Sequence, residues 1–570
     1  MLCLLMLAFA GMGARLFFLQ IVEAPAYAKL ASSQRAAVIT FPARRGTILA
    51  RGGESLGISV DLQTVYADPS LVEAPAREAR RLAPVLDMGT RRIARLLRGT
   101  RPGSRFEYVA RQIGPRKAAA VRRLDLPGIY LEAEPKRLYP NRRLASQVLG
   151  FVGTDGAGLA GIENQYESIL RGRPGRMTLE QDPSGRPLPQ ADFSYDRPTA
   201  GRSLFLTIDK DIQYLTELAL ADAARRYGAQ SGTAIVMAPG TGEVLAMANV
   251  PSFDPNSFAE APQEAQRNRA VTDVFEPGSA YKIVAAAAAL EERVVTPRTT
   301  FVVPDELPYA DRVFHDSHWH ETEEMTVAEI IEQSSNVGTI KIGLELGGER
   351  LDDYVRRFGF GTPTGLDFPG ESGGIVLPRK DWSGSTIATV PIGQGIAVTA
   401  MQMASAYSTL ANDGVWVEPQ LLHATVDGEG RAHRSAPSDP RRVVSRRTAR
   451  QMTKILTGVV DEGTGIEAQI PGYEVAGKTG TAQKPLPTGG YGNSYVATFA
   501  GYAPARDPQV AVIVVLDDPV PIWGGLTAAP TFRTITQFAL RHLGVPPTGN
   551  ASRAAAEIEA DQRGAEDIRD

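Results

Sequence analysis

Residues 1–22 read MLCLLMLAFAGMGARLFFLQIV, a run broken only by Arg15 and Gln20. As a helix this run is about 33 Å long at ~1.5 Å per residue, enough to cross a bilayer. Everything after it must then fold as water-facing domains on a membrane tether. A cleaved signal peptide is the competing reading, with Ala8-Phe9-Ala10 or Ala26-Tyr27-Ala28 as small-residue sites. The apolar run resumes after Arg15 with Leu16-Phe17-Phe18-Leu19, too long for a signal core, which favours an uncleaved anchor. No Lys or Arg precedes the run, while Lys29, Arg35, Arg44 and Arg45 follow it. That asymmetry opposes export by charge count, but long domains cross largely regardless of charge. It leads us to expect a basic stretch upstream of Met1.

A chain of 570 residues is too long for one core and implies two to four domains. Its net charge of −3 gives no electrostatic case for nucleic acid as a partner. Cys3 is the single cysteine, so no internal disulfide or cysteine-based zinc site can form. Only ten of the 61 basic residues are lysine. The lysines are informative because a buried lysine can lose its proton and an arginine cannot.

The region 35–200 is Arg-rich, with short strands and amphipathic helices such as Thr90–Arg98, where Ile93, Leu96 and Leu97 fall at helical spacing. No catalytic set gathers there. A second region opens near Ser203: a strand over Leu204–Ile208, a helix over Asp209–Arg226, and strands over Thr233–Met237 and Glu243–Ala248 joined by Pro239-Gly240-Thr241-Gly242. Val510–Leu516 reads as a buried central strand, and Thr531–Leu543 as a helix. Strands at both ends of the region with helices between them point to a mixed sheet covered by helices. From Pro546 the chain is polar and aperiodic, so residues 546–570 read as a disordered tail.

Three short motifs carry the chemistry. Pro277-Gly278 leads into a helix-forming run, Ile283–Leu290, which places Ser279 in the first helical turn and Lys282 on the same face. A desolvated lysine there can act as base toward a serine whose alkoxide the helix N-terminus favours. Alone, the pair also fits an N-cap serine beside a surface lysine. Ser334-Ser335-Asn336 can present a proton-relay hydroxyl and an amide, or be an ordinary polar turn. Tyr473–Ala482 reads as a strand with Lys478 and Gly480 on one face: a cation for a carboxylate, and a glycine that lets substrate approach the backbone. Gly472–Thr479 formally matches a nucleotide-binding loop, but a strand-like run and no following helix exclude that reading.

Ser-x-x-Lys, Ser-x-Asn and Lys-Thr-Gly in this order form the motif set of penicillin-binding proteins and serine β-lactamases. The chain resembles the class B penicillin-binding proteins, most closely the division-specific (FtsI) type. Further matches are Arg45-Gly46-Thr47-Ile48, Arg137-Leu138-Tyr139-Pro140, Gly161-Ile162-Glu163, Gly393-Gln394-Gly395, Gly463-Thr464-Gly465 and Phe499-Ala500-Gly501-Tyr502. Ala50-Arg51-Gly52-Gly53 departs from the family's Asp-Arg-Asn-Gly.

The resemblance implies an α+β multidomain chain. Residues 1–22 would be a transmembrane anchor and 23–202 an elongated α+β pedestal of the dimerisation type. Residues 203–545 would be a β-lactamase-like transpeptidase domain, an antiparallel sheet with helices. It also implies roles. Ser279 would attack the penultimate D-Ala carbonyl of a peptidoglycan stem peptide, with Lys282 as base. Ser334 would relay protons between Lys282, Lys478 and the leaving amine, and Asn336 would bind the donor amide. Lys478, Thr479 and Thr481, beside Gly480, would hold the terminal carboxylate, and the N–H groups of Ser279 and Thr481 would form the oxyanion hole.

β-Lactams would acylate Ser279. A polytopic glycosyltransferase of the FtsW type and other divisome proteins would be partners, with the catalytic domain in the periplasm. No cofactor or metal is implied; His315, His318 and His320 with Asp316 and Glu321 imitate a metal cluster, but adjacent loop histidines need not converge on one ion. The alternatives are an elongation-type transpeptidase, a β-lactamase or carboxypeptidase, a penicillin sensor, and a divisome scaffold.

Overall fold

A computed structural model describes residues 1–25, 27, 36–101, 103–180, 194–435, 439–486 and 488–548. Most of the expected tail, 549–570, lies outside the described residues. Leu2–Val22 is helical throughout, α-helix to Phe17 and a π-turn over Phe18–Val22, with no residue buried. Among the described residues it is the one helix long and apolar enough to span a membrane.

The chain divides into two compact units. The first comprises Met1–Gly46, Ser59–Lys136 and Ser168–Arg202. Its core gathers Leu82, Leu86, Ile93, Leu97, Val109 and Val121 from short helices and strands. The helix expected at Thr90–Arg98 runs over Thr90–Leu97, and its buried stripe is Ile93, Ala94 and Leu97 rather than Leu96.

The second unit comprises Thr47–Ile58, Arg137–Glu167 and Ser203–Asp570. Two segments that precede Ser203 thus fold with it. Ile48 and Leu49 pair in parallel with Leu204 and Phe205. Arg137 donates to the Glu163 carboxylate at 2.5 Å with both side chains buried, which explains two of the sequence matches. The Tyr139 backbone N–H donates to Asn256 Oδ1 at 3.0 Å.

Five strands form the main sheet: β1 (Ser231–Met237), β2 (Val244–Val250), β3 (Ala476–Pro485), β4 (Tyr491–Ala503) and β5 (Val510–Asp517), in the order β2-β1-β5-β4-β3. All pairings are antiparallel, so the mixed sheet expected from strand placement alone is corrected. The reason is local: β1 turns directly into β2, and β3, β4 and β5 follow as a meander, which leaves no parallel crossover. Val510–Leu516 is buried at every residue, as a central strand covered on both faces requires.

Among its helices are α1 (Lys210–Arg226), α2 (Lys282–Glu291), α3 (Val327–Glu332), α4 (Asn336–Leu346), α5 (Ala400–Ala411), α6 (Arg446–Asp461) and α7 (Gly524–His542). Helices α1 and α7 share a core with the sheet, where Phe532 and Ile535 meet Phe499 and Val514. α7 begins seven residues before the expected Thr531 and carries Pro530 within it.

Candidate active site

The Ser279 turn is not α-helical. Gly278–Tyr281 is a 3-10 turn that feeds α2 at Lys282, and Gly278 takes φ +52. A 3-10 turn has three residues, so Ser279 and Lys282 eclipse on one face. Sequence reading had placed Ser279 inside the α-helix; the tighter turn aligns the pair more directly. The turn is pinned on two sides. Gly278 N–H donates to the Gly393 carbonyl at 3.2 Å, and the buried Tyr407 hydroxyl donates to the Ala280 carbonyl at 2.8 Å.

On a third side lies β3. A Cβ on Gly480 would stand 2.9 Å from the Pro277 carbonyl oxygen and 3.1 Å from the Ala280 Cβ. This glycine therefore lets the sheet edge close on the Ser279 turn, a packing role beside the substrate approach expected from the sequence.

Lys282 is fully buried. Its amine donates to the Ser334 carbonyl at 2.6 Å and to Asn336 Oδ1 at 2.8 Å, and lies 3.4 Å from Ser334 Oγ. Ser334 holds φ +65, a left-handed conformation uncommon for serine, which turns its carbonyl and hydroxyl toward one amine. The Asn336 amide nitrogen donates to the His315 carbonyl at 2.9 Å, so both ends of this side chain are engaged.

Burial pushes the Lys282 amine down to about 7, against the opposing charge of Asp316. Lys478 is also fully buried; burial first, and the Lys282 charge second, hold it well below the ordinary lysine range. Two desolvated ammonium groups that repel each other cannot both stay charged near neutrality, so the pair supplies a free base.

A cleft of about 490 Å³ opens here, lined among others by Ser279, Ser334, Asn336, Thr464, Thr479 and Thr481. Ser279 is half-buried and therefore reachable. Thr464 and Thr479 hydroxyls meet at 2.7 Å, and Thr481 Oγ1 accepts the Gly524 N–H at 3.1 Å. Trp523 and Leu526 supply apolar wall.

The structure thus draws Lys282, Ser334 and Asn336 into one hydrogen-bonded group and places Ser279, Thr479 and Thr481 on the same cleft. The three histidines go separate ways: His320 bonds Asp316, His318 packs 5.7 Å from the Trp523 ring, and His315 lies 3.7 Å from Glu306. Tyr407 was missed, since a tyrosine on an Ala-rich helix carries no sequence signal of its own. Thr464 was visible only as a glycine-flanked threonine, and Asp316 only as a neighbour of histidines.

Comparison with known proteins agrees with this geometry. The family described as penicillin binding protein transpeptidase domain matches residues 232–537, and that described as penicillin-binding protein dimerisation domain matches residues 40–206. PbpB of Mycobacterium tuberculosis is 35% identical over 562 residues, covering 93% of this chain and 83% of PbpB. Peptidoglycan D,D-transpeptidase FtsI of Escherichia coli is 34% identical over 551 residues, covering 95% and 91%. The crystal structure of penicillin binding protein 3 from M. tuberculosis with aztreonam superposes with a TM-score of 0.72 at 32% identity, covering 90% and 98%. The chain belongs to the class B penicillin-binding proteins.

Proposed function

We propose that Ser279 is the nucleophile of this peptidoglycan D,D-transpeptidase, with Lys282 as its base. The observation that carries the assignment is the buried, proton-poor Lys282 amine one 3-10 turn from Ser279 and bonded to Ser334 and Asn336. Ser279 Oγ gives its proton to Lys282 and bonds the penultimate D-Ala carbonyl carbon. The C–N bond to the terminal D-Ala then breaks, and Ser334 passes a proton to the leaving amine. Lys478, Thr479 and Thr481 hold the terminal carboxylate, and an amine of a neighbouring stem peptide resolves the ester into a cross-link. β-Lactams acylate the same oxygen.

The likeness to FtsI along 95% of the chain supports a role in septal wall synthesis. In this reading residues 1–22 anchor the chain in the inner membrane and 23–202 form the pedestal. Residues 203–545 work in the periplasm beside a glycosyltransferase of the FtsW type. Ser279→Ala should abolish covalent labelling by fluorescent penicillin while membrane insertion persists; retained labelling would sink the assignment. Depletion should give filaments, whereas rounded cells would indicate elongation.

A further inference from the structure

Asp316 sits at the end of a hairpin, Glu306–Tyr309 paired with Arg312–His315, and its carboxylate is aimed at the start of α4. One oxygen accepts the N–H groups of Asn336 and Val337, the latter at 3.0 Å. The other accepts the Ser335 hydroxyl at 2.6 Å and His320 Nε2 at 3.0 Å. Ser335 in turn caps Gly338 N–H at 2.8 Å. One nearly buried carboxylate therefore ties down each residue from Ser335 to Val337, the segment that directly follows the left-handed Ser334 facing Lys282.

His320 has a constrained protonation state. Its Nδ1 lies 2.7 Å from the Glu321 carbonyl and its Nε2 faces the Asp316 carboxylate. Both partners only accept, so the form that satisfies both is the imidazolium. Burial pulls its proton affinity down, but those two hydrogen bonds outweigh it and hold the imidazole above its ordinary range. His320 is faced by Asp316 and, farther off, Glu323; Asp316 is faced by His320 and Lys282; Lys282 is faced by Asp316 and Lys478.

We propose that Asp316, itself held by the His320 imidazolium, is the positioning residue that fixes the Ser334–Asn336 turn against Lys282 and sets the charge this amine experiences. The proposal rests on the reading of Lys282 as the base. Neither residue touches substrate. Asp316 holds the oxygen acceptors in place, and its negative charge, partly offset by His320, supports the Lys282 ammonium.

The two groups act on Lys282 with opposite sign, which a purely structural role cannot reproduce. Asp316→Asn removes the supporting charge, so the acid limb of acylation should move below pH 7 by about one unit. The loosened turn should also lower the plateau rate by about 10- to 100-fold, because misplacement of about 1 Å at a reacting group costs up to ~10²-fold. His320→Gln keeps a donor but removes the positive charge, so the Asp316 carboxylate acts undiluted and the limb should move upward.

The experiment is the acylation rate of the full chain in detergent with fluorescent penicillin, from pH 5 to pH 9, with thermal melting of each variant. Opposite limb shifts support the proposal. Unchanged limbs in both variants, or shifts of the same sign, overturn it. If Asp316→Asn does not fold, His320→Gln decides alone, since an unmoved or lowered limb contradicts the proposal. Ser279→Ala runs alongside: labelling that survives there refutes the nucleophile assignment, a failure distinct from that of the positioning claim.

Discussion

Two regions of the second unit bury charge in opposite ways. At Arg137 a guanidinium meets the Glu163 carboxylate at 2.5 Å, and Tyr139 adds its hydroxyl to the same carboxylate at 3.3 Å. Beside the cleft two lysines, 282 and 478, are buried with like charges facing, and the Asp316 carboxylate supports the charge of Lys282. The first arrangement pairs opposite charges and holds segments of chain together. The second sheds a proton and acquires a base. Residue choice follows, because arginine effectively cannot deprotonate and lysine can. A buried cation paired with a carboxylate is a structural device, and one paired with another cation is a chemical one.

The comparison breaks most sharply at Lys282. Lys282→Arg keeps a cation but loses the base, and acylation by fluorescent penicillin should fall by ~10²–10⁴-fold. Arg137→Ala should remove the guanidinium from the buried Glu163 carboxylate, at a cost of about 3–5 kcal/mol in denaturant unfolding. The double change Arg137→Met, Glu163→Leu should recover much of that loss, since an apolar pair of similar volume is often neutral or better. Recovery would confirm that this pair is structural; no double change of Lys282 and Lys478 should restore acylation.

Gly480→Ala sharpens the contrast from the packing side. Its Cβ would press on the Pro277 carbonyl and Ala280, so the sheet edge or the Ser279 turn must shift, costing ~1–3 kcal/mol of stability and some acylation rate. Tyr407→Phe, which removes the bond to the Ala280 carbonyl, should cost about 1 kcal/mol, visible as a small drop in Tm.

Much of this was legible in the chain. The buried strand announced itself by the continuous apolar run Val510–Leu516, and the helix expected over Asp209–Arg226 forms over Lys210–Arg226, with Asp209 as a cap that accepts two backbone N–H groups. The three motifs named the cleft residues because short-range spacing fixes which side chains share a turn or a strand face. The packing role of Gly480 was not legible because the atoms it makes room for lie about 200 residues earlier, at Pro277 and Ala280. Asp316 and Tyr407 were invisible for the same reason, as their roles exist only across tertiary contacts to α4 and to the Ser279 turn. Antiparallel order in the sheet likewise depends on connections, which apolar periodicity does not record.

The central claim is that Lys282 can serve as a base near neutrality because burial of its amine outweighs the support of Asp316 and brings it down to about 7. Its most direct test is the pH dependence of Ser279 acylation in the unaltered full chain, read as the second-order rate with fluorescent penicillin. Lys282 must be neutral to accept the serine proton, so the rate should fall as pH drops through about 7 and level off above it. A limb that stays near pH 10, the range of an ordinary lysine, would contradict the account.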